Sequence, residues 1–248
     1  MVTLKSGVGE PMSAPVEFAF LHGGGQAGWV WDETIAALRQ QMGTGPARAM
    51  AFDLPGCGAK RDQDTSVLSV RQVSEHFASD LSASGLRDVI LVGHSNAGTI
   101  MPLIAALLPG RVRRYVYVSC IAPPPGRSTR ALMSERHEFT AAADAATRWR
   151  TMFCNDMDEP QATGFLAKLG HDRWPTLAAL DETDWRYDHL RGVPASYVLC
   201  LRDQALPVEW QETFAARFQV QRRTYIDAGH QVMNTRPHAL AEVLRHEL

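Results

Sequence analysis

The chain has 248 residues, and 25 lysines and arginines against 27 acidic residues leave a net charge of −2 at pH 7. That gives no field to draw in a phosphate backbone, so nucleic acid is disfavoured as a partner. Hydrophobic residues make up 45% and charged residues 21%, the balance of a soluble globular protein rather than a disordered or fibrous one. No run approaches the roughly 18 apolar residues of a membrane span. Residues 1–15 show neither an apolar core nor an A-x-A cleavage site, so no signal peptide is expected. Cys57, Cys120, Cys154 and Cys200 lie far apart, without C-x-x-C or metal-ligand spacing. Free thiols, no metal site and a cytoplasmic location are expected.

In chain order, residues 16–21 form the first strand-like run, which leads into His22-Gly23-Gly24-Gly25-Gln26-Ala27-Gly28. Those glycines match G-x-G-x-x-G, and Asp53 closes the next run, 47–53, as the acid of a dinucleotide site would. Trp29 and Trp31 fall where a phosphate-binding helix would already be under way, however. Asp53 also passes straight into Leu54-Pro55-Gly56, a turn. The nicotinamide reading leaves the centre of the chain unexplained, and no cofactor is assigned. Helical patterns occupy 32–41 and 69–85.

The chain is organised around Val89-Ile90-Leu91-Val92-Gly93-His94-Ser95-Asn96-Ala97-Gly98. A buried apolar strand ends at Gly93, Ser95 takes the tip of a tight turn, and a helix follows over 97–108. This strand–Gly-x-Ser-x-small–helix unit is a nucleophile elbow. Its geometry strains the serine backbone and brings the residues two before and two after nearly into contact, so both must be small. Gly93 meets that demand, and Ala97 stands where glycine is usual. Pro102 falls inside the following helix, where it should kink or re-register the chain.

A strand is expected over 112–119, followed by a stretch, 121–190, that holds helical segments such as 134–153 and 159–169 but no convincing strand. It is read as a helical cap inserted in a core formed by 1–120 and 191–248. Of its aromatic residues, Trp149, Phe153, Trp174 and Trp185 are the candidates to face a substrate pocket. In Asn155-Asp156-Met157-Asp158-Glu159 the acidic residues lack the glycine and spacing of a calcium loop, and Asp158 is expected to cap a helix entering at Pro160. Alternation resumes with a strand at 196–201, a helix at 209–218, a strand at 220–226 and a helix at 237–247. Strand and helix alternating at this spacing imply a mainly parallel, doubly wound α/β sheet of about six strands.

The chemistry follows from what stands at the strand ends. Asp203 follows the strand at 196–201, and the end of the preceding strand, Ser119-Cys120-Ile121, offers no carboxylate. His230 follows the last strand. A neutral imidazole there can take the Ser95 proton while Asp203 fixes its tautomer. Backbone N–H groups of Gly24 and Asn96 are the candidates to hold the oxyanion, each such donor being worth roughly 3 kcal/mol. His22 is expected to orient the glycine loop, and His94 to pack within the elbow.

Leu21-His22-Gly23-Gly24-Gly25 with Trp29-Val30-Trp31 resembles the H-G-x-x-x-x-x-W-x-W opening of the plant methylesterase and hydroxynitrile lyase branch of the α/β-hydrolase superfamily. The run from Asp53 to Gly58, Gly93-His94-Ser95, Asp203 with Pro207, and Gly229-His230 extend the resemblance over nearly all of the chain outside the cap. Bacterial esterases are similar too. The resemblance implies the α/β-hydrolase fold, a helical lid and the order Ser…Asp…His. Hydroxynitrile lyases of that branch carry Lys after the catalytic His and Thr after the His of the glycine loop. This chain has Gln231 and Gly23, which disfavours cyanohydrin cleavage.

The sequence thus predicts a cofactor-free serine hydrolase that cleaves a small-molecule carboxylic ester with an apolar or aromatic part, by way of an acyl-enzyme. A thioesterase, a lactonase and a non-hydrolytic member such as a polyketide cyclase or lyase are the alternatives among enzymes. A ligand-binding receptor without turnover is the alternative of another class. The oligomeric state stays open, a homodimer being one option.

Overall fold

In a computed structural model, residues 16–43, 47–136 and 144–248 are described. The core is a six-stranded sheet, every neighbouring pair parallel, made of β1 (Val16–Leu21), β2 (Ala47–Phe52), β3 (Val89–His94), β4 (Val112–Val118), β5 (Ala195–Cys200) and β6 (Arg222–Ile226) in the spatial order β2-β1-β3-β4-β5-β6. The chain winds outward from β1 to β2 and then crosses back to β3. The loops after β1 and β3 therefore lie side by side where the winding reverses, the place where open parallel sheets put their sites.

The period-2 alternation of each strand builds two separate cores. Phe18, Phe20, Ile90, Val92, Val116, Val118, Val198 and Cys200 face one side. There they pack on Ile35 and Leu38 of α1 (Asp32–Met42) and on Leu240 and Leu244 of the C-terminal helix Pro237–Arg245. Ala19, Leu21, Val89, Leu91, Tyr115, Tyr117, Tyr197 and Leu199 face the other side. They cover themselves with α2 (Val70–Ala83), α3 (Met101–Leu107) and the helix Val208–Arg217. Helices on both faces explain why β1, β3 and β5 are buried at almost every position.

Pro102 does not interrupt a helix. A 3₁₀ turn, Ser95–Thr99, precedes α3, so the proline sits in the first turn of α3, where its missing N–H is no loss. The single helix expected over 97–108 is thus re-registered into two elements.

Between β4 and β5 the described residues hold no strand. They form α4 (Thr129–Met133), α5 (Ala145–Phe153), α6 (Glu159–Leu166) and α7 (Leu177–Asp181). Asp158 caps α6 by accepting from the Gln161 N–H at 2.9 Å, and Gln161 returns the bond in a capping box. Part of the helix expected over 134–153 falls on residues 137–143, outside the described residues, as does the stretch 1–15. Cys154, Ala162, Phe165 and Leu169 form a small third core, which seats against Trp29. After β5 come α8 (Val208–Arg217), α9 (Val232–Thr235) and α10 (Pro237–Arg245). Among the described residues no helix is long and apolar enough to cross a membrane.

Candidate active site

Ser95, Asp203 and His230 sit on the loops that leave the C-terminal ends of β3, β5 and β6, and the sheet order brings those ends together. The elbow is built as its composition requires. Ser95 has φ 52°, a left-handed conformation that a non-glycine residue adopts only when the surrounding fold holds it there. A methyl on Gly93 would lie 2.9 Å from the Ala97 Cβ, so the pair tolerates one methyl and not two.

The Ser95 hydroxyl donates to Nε2 of His230 at 2.9 Å, and Nδ1–H of His230 donates to Oδ2 of Asp203 at 2.6 Å. Both bonds are sheltered, since His230 and Asp203 are buried. The other carboxylate oxygen, Oδ1, accepts from the N–H groups of Ala205 and Leu206 at 2.7 and 2.8 Å. Oδ2 also accepts from the hydroxyl of Ser119 at 2.5 Å. The acid is thereby fixed by four donors.

Ser119 is a residue that sequence reasoning passed over. It stands at the strand end inspected for a carboxylate, and it has φ 41°, again left-handed. A hydroxyl gives no charge signal, and only its place at that strand end pointed to it. Gln211 was missed as well. Fully buried, it accepts from the Cys200 N–H and donates to the carbonyls of Cys200 and Leu206, stapling the loop that carries Asp203.

Gly24 and Asn96 line the same cavity as Ser95. A methyl on Gly23 would come within 3.0 Å of the Ser95 Cβ, so only glycine lets the loop approach this closely. That loop is held from outside, with Gly25 N–H donating to the Trp174 carbonyl at 2.7 Å and the Gly25 carbonyl accepting from Gly170 N–H at 3.1 Å.

Two further histidines beside the site, His22 and His94, act as supports. His22 donates from Nδ1 to the Gly23 carbonyl at 2.8 Å and accepts at Nε2 from Leu54 N–H at 3.2 Å. His94 donates from Nε2 to the His230 carbonyl at 3.0 Å. Burial holds His22 below the ordinary histidine pKa and His94 well below it, because imidazolium is costly without water. Asp53, the acid of the dinucleotide reading, spends its oxygens on the N–H groups of Gly28 and Ala59 at 2.7 and 2.8 Å. It thus braces the glycine loop instead of facing outward.

The cavity beside Ser95 and His230 measures about 140 Å³, and its apolar wall is Ile121, Met133, Met152, Phe153, Leu180 and Leu206. Within it, Oγ1 of Thr129 and Oδ1 of Asn96 are buried without a hydrogen-bond partner. Of the four aromatics expected to face substrate, the structure places only Phe153 on this wall. Trp174 is buried in the main core and supports the glycine loop through its carbonyl. Trp149 packs its ring over Gly170. Trp185 lies in a separate cleft with Thr99 and Pro102, its Nε1–H donating to the Arg127 carbonyl. Much of the rest of the wall comes from aliphatic and sulfur-bearing residues of short helices, Met133 of α4, Met152 of α5 and Leu180 of α7.

The sequence pattern of the Alpha/beta hydrolase family matches residues 18–243. A rice (Oryza sativa subsp. indica) protein named "Probable esterase PIR7A" is 24% identical, the match covering 92% of this chain and 94% of that one. Methylesterase 10 of Arabidopsis thaliana is likewise 24% identical, over 92% of this chain and 90% of its own. Among solved structures, an extracellular alpha/beta-hydrolase from a Paenibacillus species superposes with a TM-score of 0.76 at 21% identity, covering 94% of this chain and 99% of that one. It is described as sharing structural and functional homology with Tobacco Salicylic Acid Binding Protein 2. The resemblance to plant methylesterases inferred from scattered motifs therefore extends to whole relatives and to the whole sheet. With a family pattern that runs from β1 into α10, the chain belongs to the alpha/beta hydrolase family.

Proposed function

We propose that the protein hydrolyses a carboxylic ester by a Ser95–His230–Asp203 relay, the apolar or aromatic part of the substrate entering the cavity lined by Phe153. The coarser statement, an ester hydrolase of the esterase and methylesterase type, rests on family membership and on relatives that carry those names. The observation that carries the finer one is the pair of bonds at 2.9 and 2.6 Å that link the serine hydroxyl through the imidazole to the carboxylate.

Ser95 Oγ attacks the carbonyl carbon as its proton passes to Nε2 of His230, and Asp203 stabilises the imidazolium. The oxyanion of the tetrahedral intermediate is held by the N–H groups of Gly24 and Asn96. Collapse expels the alcohol, which takes the proton from His230, and leaves an acyl-enzyme on Ser95. Water, deprotonated by His230, then attacks the acyl carbon; the acyl–Oγ bond breaks, Ser95 Oγ takes that proton back from His230, and the acid is released. A cavity near 140 Å³ suits a group of benzene size, since an engineered cavity of about 150 Å³ binds benzene. Thr129 and Asn96 give that group one place for a hydrogen bond. The four buried free thiols suit a reducing compartment, and the cytoplasm is our proposed location.

The test is covalent labelling. A fluorophosphonate probe is expected to modify Ser95 in the wild type, identified by peptide mass, and to leave His230→Ala unmodified. An unlabelled wild type, with no turnover of nitrophenyl esters, would instead favour a binding role without catalysis.

A further inference from the structure

Resting on that reading of the relay, we propose that Asp156, aided by Asn155, is a positioning residue: from the turn after α5 it holds the catalytic histidine and its acid in register. The sequence marks this acidic turn, and helix capping accounts only for Asp158. Its first two members do something different. Nδ2 of Asn155 donates to the Arg202 carbonyl at 2.8 Å, and Oδ2 of Asp156 accepts from Gly229 N–H at 2.8 Å. Arg202 immediately precedes Asp203, and Gly229 immediately precedes His230. The turn thus grips the backbone one residue before the acid and one before the base.

The grip is built rather than incidental. Asp156 Oδ2 also accepts from the Thr235 hydroxyl at 2.8 Å, which anchors the carboxylate to α9 beyond the histidine. A methyl on Gly229 would lie 2.5 Å from both Asn155 Oδ1 and Asp156 Oδ1, so the turn seats on the one residue type that admits it. The two gripped loops are tied to each other as well. Arg202 N–H donates to the Ala228 carbonyl at 2.9 Å, and its guanidinium pairs with Asp227 at 2.7 Å. Phe153, just upstream of the turn, sets its ring 5.4 Å from the ring of His230 and lines the substrate cavity.

The physical need is plain. Gly229 lends His230 no stiffness of its own, because a glycine backbone has the widest conformational freedom. The imidazole must meet Ser95 and Asp203 at once, and a misplacement of about 1 Å can cost about a hundredfold in rate. A hydrogen bond to a carboxylate is stronger than a neutral one and suits that task.

The test compares Asp156→Ala and Asp156→Asn with the wild type, using a nitrophenyl butyrate ester and the rate of fluorophosphonate labelling per folded molecule, with melting temperature recorded. D156A is expected to lower kcat and labelling by about 10- to 100-fold while KM stays within about twofold. D156N keeps an oxygen for Gly229 N–H and is expected to recover most of the rate. Should D156A fail to fold, Asn155→Ala, an exposed neutral position, carries the same test with a fall in kcat of a few-fold. Wild-type kcat in D156A (or in N155A where D156A does not fold), or equal loss in D156A and D156N, would overturn the proposal. A wild type that neither labels nor turns over ester would overturn the relay itself, a distinguishable result.

Discussion

Ser119 shows how much one uncharged side chain can matter beside a buried carboxylate. Its hydroxyl donates to the same oxygen of Asp203 that receives the histidine proton bond, and its Oγ lies 3.5 Å from Nδ1 of His230. Replacing it with alanine removes one of four donors from a buried acid, a loss of about 1.5–3 kcal/mol for a bond to a charged group. Ser119→Ala is therefore expected to lower kcat by roughly 10- to 150-fold with KM nearly unchanged. Steady-state kinetics on a nitrophenyl ester decide this, and a variant as active as the wild type would remove Ser119 from the site. The same scale explains what the sequence hid. Ser119, Gln211 and Asp156 carry no motif, because a hydrogen bond across the fold leaves no spacing in the chain to detect.

At the scale of the element, the elbow was the most legible part of the protein. A strand, a glycine two residues before the serine and a small residue two after are local demands, met by residues adjacent in the chain. The 3₁₀ turn that follows Ser95 is different, since its fit depends on a distant loop. A methyl on Gly98 would lie 2.2 Å from the carbonyl oxygen of Ile121, a backbone atom with little room to move. Ile121 N–H in turn donates to the Ser95 carbonyl at 3.0 Å. Gly98→Ala is expected to destabilise by about 2–3 kcal/mol, as overpacking commonly does. That lowers the melting temperature by roughly 5–10 °C in a domain of this size. Calorimetry checks it, and an unchanged melting temperature would mean that the elbow and the Ile121 loop separate freely.

For the whole molecule, two buried histidines contribute to the response to acid. His22 and His94 have folded-state pKa values below the ordinary value of about 6.5, because burial penalises the charged ring. Below pH 6.5 the unfolded chain binds protons at these positions that the folded protein refuses. The stability these two histidines contribute is thus fully present above about pH 6.5 and is lost as pH falls below it. Urea unfolding from pH 8 to 5 should show that decline. His94→Gln, which can keep a donor for the His230 carbonyl, should make the slope shallower. A slope unchanged in the variant would assign acid sensitivity to other groups.

The sheet and the elbow were determined by the sequence alone, because their signals, period-2 apolar runs and fixed local spacing, are short-range. So were the strand ends at which Asp203 and His230 stand, since alternation of strand and helix dictates which loops share an edge. Only the tertiary structure decided which aromatics line the cavity, moving Trp149, Trp174 and Trp185 away from it and keeping Phe153. It alone decided what braces the acid and the base as well. Those outcomes depend on how the helices after β4 fold back over the sheet, a set of long-range contacts whose partners, such as Asn155 with Arg202 and Asp156 with Gly229, are chosen by packing in space and not by order in the chain.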